Sequence, residues 1–411
     1  MSVYLIPIGT ALLLFPILAA LITVPYMIIQ YRTYGSILPF RVAIIYSFIF
    51  YLLTAYFLVL LPLPPVDEVA QYTSPVMQLV PFASLQEFTM TTSLVWNDPS
   101  TYLTALNEPS LFLILFNILL TVPFGIYLRY YFQCGWKKTL LFTFLLTLSF
   151  ECLQLSALFG IYPRPYRLFD VDDLITNTLG GMLGYLITPL FSRFLLSRER
   201  MDEKAYDRGR TVSPLRRVFA FFCDSTILVG STMIIILLLE RTTPLQDQSF
   251  VIIPASYGIS LVVYLFLFPL WTKGKTLGKA LVKIRLRTEK EETPRWYQYP
   301  LHFLFLYMLI LPAPFYGFYL LLQFLAMKDT VRWILLGILI LLALLYIWSI
   351  TSSILALFNK DRRPWYDQWK PLHNSSDIPY EAVITKDVSE SEAVKNDEIQ
   401  EKSSVSIDTN R

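Results

Sequence analysis

The chain contains 411 residues, of which 55% are hydrophobic and only 16% charged, and its mean hydropathy is +0.51. These values exclude an ordinary soluble globular protein, because about 25% of the residues in such proteins are charged. The formal net charge of +3 gives no indication of a nucleic-acid partner, so we expect the lipid bilayer to be the main partner of the chain.

Nine apolar segments follow one another along the chain, and each is long enough to cross about 30 Å of hydrocarbon as a helix. They cover residues 4–29, 41–61, 111–131, 139–159, 174–195, 217–239, 250–271, 301–325 and 333–358. The first lacks the basic start of a cleaved signal peptide, so we interpret it as a retained transmembrane helix. The eighth contains Pro312 and Pro314, which could break it. The sequence predicts an all-α, polytopic membrane helical bundle with about nine transmembrane helices.

The distribution of charge between these segments predicts the orientation in the membrane. The connection 62–110 has five acidic residues and no Lys or Arg, whereas 192–217 and 272–300 have eight basic residues each. Because connections rich in Lys and Arg stay in the cytoplasm, we predict an outside N-terminus and a cytoplasmic C-terminus. Lys328 and Arg332 disagree with this prediction, since nine spans place them in an outer loop.

A charged stretch divides the apolar segments into two groups. Residues 197–213 are rich in Arg, Lys, Asp and Glu, so we interpret them as a cytoplasmic linker. This gives a five-span membrane domain over 1–196 and a four-span membrane domain over 214–373. Residues 374–411 are charged, rich in Ser and contain one aromatic residue, which predicts a disordered cytoplasmic tail.

Polar residues are concentrated in the fourth and fifth apolar segments and in the loop between them. Asp170, Asp173 and Asn177 are spaced by three and four residues, which places them on one face of a helix. A carboxylate in a membrane helix costs roughly 2.5–3.5 kcal/mol, so Glu151 is a candidate functional residue. The helical rise per residue places several of these groups at one depth, in the outer half of the bilayer. We therefore predict a ligand-binding cavity formed by Asn117, Glu151, Gln154, Arg164, Arg167, Asp170, Asp173 and Asn177.

Most of these residues also have a purely structural explanation. Asp170 could be the N-cap of a helix with Asp173 in its first turn, where carboxylates favour the positive end of the helix dipole. Asn117 and Gln154 could form a hydrogen bond with each other between helices. Gly180 and the glycines after it could serve only to allow close helix packing.

The two arginines of the loop have two possible roles. Arg164 and Arg167 could neutralise the nearby carboxylates in a structural network of ion pairs, or they could bind an anionic head group. The sequence does not separate these interpretations.

With these residues identified, residues 149–184 resemble the signature of the VanZ-like family. The family pattern is approximately E-x-x-Q, a short loop, and then R-x-x-D-x-x-D-x-x-x-N-x-x-G-x-x-x-G. The matching positions are Glu151, Gln154, Arg167, Asp170, Asp173, Asn177, Gly180 and Gly184. The resemblance covers residues 40–195 and implies a cell-envelope protein linked to low-level resistance to the lipoglycopeptide teicoplanin.

Residues 210–370 resemble an RDD-type membrane domain, a family named for one arginine and two aspartates. Arg217 and Asp224 match its first helix, the segment 274–279 matches its G-x-T-x-G-K element, and Asp367 matches its closing aspartate. The resemblance implies a membrane domain for which transport has been proposed. An ion-pair network of Arg217 with Asp224 is the structural alternative.

Two classes of function fit these observations. In the first, the protein binds an anionic or amphiphilic ligand, such as an anionic lipid or a lipoglycopeptide, in the outer leaflet, and Arg164 and Arg167 contact the head group. In the second, it is a secondary transporter that uses Glu151 and Asp224 as ion or proton sites.

We do not expect an enzyme, a metal site or a cofactor. The three cysteines and two histidines are far apart in the sequence, so they form no recognisable metal or disulfide motif. A metal-assisted hydrolase using Glu151, Asp170 and Asp173 is a third alternative, but no nucleophile is apparent. The oligomeric state stays open.

Overall fold

A computed structural model describes residues 2–95, 97–106, 108–242, 249–288, 290–303, 307, 321, 331–358 and 372–378. The chain divides into two compact units. Unit 1 consists of Met1–Pro25 and Leu38–Glu203, and unit 2 consists of Tyr26–Ile37 and Lys204–Arg411. The predicted linker, 197–213, is largely occupied by a helix that extends from Arg198 to Gly209.

Unit 1 is built from long apolar helices joined by loops with short elements. The long helices are α1 (Ser2–Tyr34), which also enters unit 2, α2 (Pro39–Leu60), α6 (Pro109–Tyr130), α7 (Trp136–Leu155) and α9 (Val171–Ser192). The short helices are α3 (Val66–Val69), α4 (Ala83–Thr91), α5 (Tyr102–Leu106) and α8 (Ala157–Gly160), and a 3₁₀ turn covers Pro99–Thr101. Helix α10 (Arg198–Gly209) begins in unit 1 and ends in unit 2. The strands β1 (Met77–Gln78) and β2 (Phe169–Asp170) pair in parallel.

Local sequence explains where the long helices begin. Pro39 and Pro109 occupy the first turns of α2 and α6, where a missing N–H breaks no helical hydrogen bond. Asp170 is the N-cap of α9, and its side chain accepts a hydrogen bond from the backbone N–H of Asp172. The prediction that Asp170 caps this helix is confirmed, although the capped N–H belongs to Asp172.

Helices α6 and α9 pack closely because α9 presents glycines to the backbone of α6. A Cβ atom on Gly180 would lie 2.1 Å from the carbonyl oxygen of Ile118, and one on Gly184 would lie 2.0 Å from that of Val122. Neither position has room for a methyl group. The packing role predicted for these glycines is thus confirmed, and it brings the start of α9 against the start of α6.

In its described residues, unit 2 contains two long helices with shorter elements between them. Its helices are α11 (Pro214–Thr242), α12 (Ser249–Leu261), a π-helical continuation (Val262–Leu267), α13 (Phe268–Trp271), α14 (Leu277–Leu281), α15 (Gln298–Phe303) and α16 (Val331–Phe358). Strands β3 (Ile284–Thr288) and β4 (Leu372–Ser376) pair antiparallel, with Ile284 opposite Ser376.

Strand β4 corrects one prediction, because its last residues were assigned to a disordered tail that begins at Asn374. Leu372 is buried in a core with Leu286 and Tyr299, and Asp377 bonds to Lys275 and Arg285 just after the strand. Burial opposes ionisation of Asp377, but the hydrogen bond and charge of Lys275 hold its pKa below the usual range. Tertiary pairing therefore orders a segment whose composition is that of a loop. The rest of the predicted tail, from residue 379, lies outside the described residues.

Six helices in the described part of the chain are long and apolar enough to cross a membrane. They are Leu5–Tyr34, Pro39–Leu60, Pro109–Tyr130, Trp136–Leu155, Val171–Ser192 and Pro214–Leu239. Two shorter apolar helices, Ala255–Trp271 and Leu336–Ser352, coincide with the seventh and ninth predicted segments. The eighth segment, 301–325, lies mostly outside the described residues, so the all-α membrane fold is confirmed but the number of nine spans is not.

Candidate functional site

Unit 1 contains a cavity of about 500 Å³ at the end of the helices where α2 and α7 finish and α6 and α9 begin. Seven of the eight predicted site residues line it. They are Asn117, Glu151, Gln154, Arg167, Asp170, Asp173 and Asn177. The lining also includes apolar side chains, which we call the apolar wall: Leu58, Val59, Leu61, Leu113, Ile114 and Phe116. We call Glu151, Asp170, Asp173 and Asn177 together the acidic wall.

Glu151 joins the end of α7 to the start of α9. Its side chain is 2% exposed, and its Oε2 atom accepts a hydrogen bond of 3.0 Å from the backbone N–H of Asp170.

The side chain of Asp170 lies in surroundings that oppose its ionisation. Burial raises the pKa of Asp170, and the charge of Asp172 raises it further. A carboxylate at the edge of a low-dielectric region is harder to ionise without a cation or hydrogen-bond donors.

Asp173 and Asn117 connect α9 to α6. Asn117 donates a hydrogen bond of 2.6 Å from Nδ2 to Asp173 Oδ1. Gln154 instead donates to the carbonyl oxygen of Val59 at 3.3 Å. The alternative in which Asn117 and Gln154 bond to each other is therefore wrong, because the packing of α6 on α9 gives Asn117 a carboxylate partner.

Asn177 is the deepest polar residue of the acidic wall along α9. Its side chain is 3% exposed, and its Oδ1 atom has no hydrogen-bond partner among the described residues. Its carbonyl oxygen accepts a hydrogen bond of 2.5 Å from Thr121 Oγ1, which fixes the backbone against α6. A buried amide oxygen that accepts no hydrogen bond is uncommon and marks a place where a ligand or water can bind.

The two arginines differ in position. Arg167 lines the cavity, is exposed, and donates from Nη2 to the carbonyl oxygen of Leu61 at 3.1 Å. Arg164 lies outside the cavity lining and donates to the carbonyl oxygen of Ser74 at 2.5 Å. Neither guanidinium forms an ion pair with a carboxylate in the described part of the chain. Direct ion pairs of these two arginines are therefore absent from the described residues, although the charge of Arg167 acts on Glu151 and Asp173.

The sequence analysis missed Asp172, which holds the loop over the site. Its Oδ1 and Oδ2 atoms accept hydrogen bonds of 2.5 Å and 2.7 Å from the backbone N–H groups of Phe82 and Ser84. Phe82 has a φ of 64°, in the left-handed region, immediately before helix α4. Glu87 of α4 also lines the cavity. The run of three acidic residues at the start of α9 was the available signal, but spacing alone did not indicate a loop partner.

Metal binding receives no support from the arrangement of these acids. Among the residues that the structure describes, no group of three His, Cys, Asp or Glu side chains could hold a metal ion. Asp172 is already occupied by two backbone donors.

Two family comparisons agree with this division of the chain. Residues 48–192 match the family described as VanZ/LLP1, and residues 211–370 match the RDD family. The chain carries a VanZ-like domain and an RDD domain. Both resemblances found in the sequence are thus confirmed. Every residue that lines the cavity, except Pro7 of α1, lies within the VanZ-like match.

A relative of the VanZ-like domain is Protein VanZ from Enterococcus faecium. The two chains are 29% identical over 127 residues, which is 31% of this chain and 61% of that relative. The chain thus spans less than two thirds of the length of the relative. No solved structure matches the chain.

The RDD domain places its first aspartate in a fully buried polar cluster. Asp224 accepts hydrogen bonds from the hydroxyls of Tyr264 at 2.6 Å, Thr276 at 2.6 Å and Tyr307 at 3.0 Å, and from the N–H of Gly278 at 2.6 Å. Arg217 is not among its partners, so the predicted Arg217–Asp224 network is wrong. Asp224 instead fixes the start of α14, because Thr276 is the N-cap of that helix.

The neighbouring arginine of the same helix is the fully buried one. Arg216 donates to the carbonyl oxygens of Gly209, Val282 and Lys283 and to the hydroxyl of Ser376. It therefore joins α11 to three other segments of unit 2, and its hydrogen-bond partners among the described residues are carbonyl and hydroxyl oxygens. Asp367, the third residue predicted for the RDD motif, lies outside the described residues.

Proposed function

We propose that this protein acts in the cell envelope by binding an amphiphilic ligand in the cavity of its VanZ-like domain, and that this binding lowers susceptibility to lipoglycopeptide antibiotics such as teicoplanin. The observation that carries the proposal is a cavity whose lining combines polar and acidic side chains with apolar ones. An amphiphile can place its head group on the polar side chains and its hydrocarbon along the apolar wall.

Arg167 supplies the contact for acceptor groups of the ligand. Its guanidinium carries five N–H donors, and the structure uses Nη2 for one backbone carbonyl of the described chain. The remaining donors are available to a phosphate, carboxylate or sugar oxygen. A planar guanidinium can bind such groups with two parallel hydrogen bonds.

The connection that covers the cavity supports a position in the outer leaflet. Ser84 and Glu87 belong to the connection 62–110 and line the cavity, and that connection has no Lys or Arg. Loops without basic residues are the ones that cross to the outside. A ligand of the outer leaflet would therefore reach the site without crossing the membrane.

The test is a comparison of variants of the full chain in a teicoplanin-susceptible bacterium. We expect the unchanged protein to raise the minimal inhibitory concentration, and Arg167→Ala and Glu151→Gln to abolish the increase with unchanged membrane abundance. Arg167→Lys keeps the charge but loses the planar fork, so it should retain only part of the increase. Arg164→Ala is the matched control, because Arg164 lies outside the cavity and its loss should have little effect.

Two results would contradict the proposal. Full activity of Arg167→Ala would show that the cavity contact is not needed. Loss of activity that follows only the amount of protein in the membrane would show that these residues serve as scaffold.

A further inference from the structure

The acidic wall of the cavity is poor in hydrogen-bond donors. Each of three carboxylates accepts one hydrogen bond from the described residues. The accepting atoms are Glu151 Oε2, Asp170 Oδ1 and Asp173 Oδ1. The second oxygen of each carboxylate has no donor in the described part of the chain. Ionised carboxylates only accept hydrogen bonds, so these three oxygens can accept from water or from a bound ligand.

In the described part of the chain, the nearby amide side chains donate no hydrogen bond to these three oxygens. Gln154 directs its Nε2 to a backbone carbonyl, and Asn117 uses Nδ2 for Asp173. Asn177 is almost completely buried on the same wall and presents an acceptor, Oδ1, that also has no described partner. The wall thus combines three incompletely bonded carboxylates with an unpartnered buried amide oxygen.

The charged residues that line the cavity also favour a ligand with a cationic group. The lining contains the carboxylates of Glu87, Glu151, Asp170, Asp172 and Asp173 and one cation, Arg167. Asp172 is satisfied by two backbone N–H groups, and the acidic groups that remain outnumber the one cation. Ionisation of buried acids is costly without a nearby positive charge, so a cationic ligand group would favour their ionised form and bind to it.

We infer that the ligand of this cavity is a zwitterionic amphiphile whose ammonium group binds the acidic wall while its anionic group binds Arg167. This inference rests on the proposed function and names the chemical class of its ligand. An ammonium group carries three N–H donors and one positive charge. It therefore provides both the donors and the charge that Glu151, Asp170 and Asp173 lack, and the apolar wall takes the acyl chains.

The experiment uses purified full-length protein in detergent and measures lipid binding by native mass spectrometry. The probes have identical chains: dilauroyl phosphatidylethanolamine, its N-acetylated derivative, dilauroyl phosphatidylglycerol and an uncharged dilauroyl glucosyl glycerol. We expect phosphatidylethanolamine to bind about tenfold more tightly than the N-acetylated lipid, which corresponds to the loss of one charge-assisted hydrogen bond. The double variant Glu151→Gln, Asp173→Asn should remove this preference. Asp98→Asn changes an exposed carboxylate outside the cavity and should keep it.

The outcomes separate this inference from the proposed function. Equal binding of the phospholipids, still lost in Arg167→Ala, would overturn the ammonium group but leave the amphiphile site. Tightest binding of the glucosyl lipid would also overturn it, because hydroxyl donors would then suffice. Binding of all probes that no cavity variant changes would overturn both the inference and the proposed function.

Discussion

Asp170, Asp172 and Asp173 lie together at the start of α9, but each carboxylate has a different hydrogen-bond partner. Asp170 caps its own helix, Asp173 bonds to Asn117 of α6, and Asp172 holds the backbone of the loop at Phe82 and Ser84. Hydrogen bonds from backbone N–H groups to a buried carboxylate are stronger than neutral ones. Asp172 is thus the residue that fixes the covering loop in relation to the cavity.

Asp172→Asn should loosen this loop without unfolding the domain. An asparagine side chain can accept from only one of the two N–H groups and places its own N–H₂ against the other, at a cost of about 1–3 kcal/mol. We expect hydrogen–deuterium exchange over residues 77–91 to be about tenfold faster or more. Asp98→Asn, on an exposed turn of the same connection, is the control, and equal exchange in both variants would argue against the anchor.

The limits of sequence analysis are visible at single residues. The spacing of Asp170, Asp173 and Asn177 predicted one helix face, and the cavity contains all three. The resemblance to the RDD family selected Arg217, whereas the neighbouring Arg216 is the fully buried arginine. Adjacent residues on a helix point about 100° apart, and tertiary contacts that lie far away in sequence decide which of them turns inward.

At the level of elements, the contact between α6 and α9 stabilises unit 1 and also positions the residues of the site. Gly180→Ala would place a Cβ atom 2.1 Å from the carbonyl oxygen of Ile118. The helices would have to separate, which costs about 1–3 kcal/mol in a closely packed interior. Because Asp173 and Asn177 belong to the same helix, separation would also disturb their contacts with Asn117 and Thr121.

We therefore expect Gly180→Ala to lower the unfolding temperature of the purified protein and to weaken cavity binding. Gly9→Ala is the matched control in another membrane helix of unit 1, since no atom lies within 4 Å of the added Cβ. It should leave stability unchanged or slightly increased, because alanine favours helix over glycine. Equal unfolding temperatures of the two variants would show that the contact tolerates the methyl group.

The sequence predicted the long helices well and the short elements poorly, for a physical reason. A run of twenty apolar residues is a strong local signal, because the bilayer leaves few alternatives to a helix. Strand β4, Leu-His-Asn-Ser-Ser, contains one apolar residue and depends on pairing with β3. Such pairing is set by partners distant in the chain, so local propensity predicts a loop there.

At the level of the whole molecule, the direction of insertion decides which leaflet can supply the ligand. The connection 62–110 has no Lys or Arg, and 192–217 has eight, so the first should lie outside and the second in the cytoplasm. Both connections have exposed residues within unit 1, Ser74 and Glu203. They allow the orientation of the VanZ-like domain to be measured directly.

The measurement places single cysteines at Ser74 and Glu203 in a background with Cys134, Cys152 and Cys223 replaced. We expect a membrane-impermeant maleimide to modify Ser74→Cys in intact cells and Glu203→Cys only after permeabilisation. Because Ser74 accepts a hydrogen bond from Arg164 in the loop that follows α7, labelling there reports the side on which the cavity lies. Modification of Glu203→Cys in intact cells would show that the orientation is opposite to the predicted one. The head group bound by Arg167 and the acidic wall would then come from the inner leaflet.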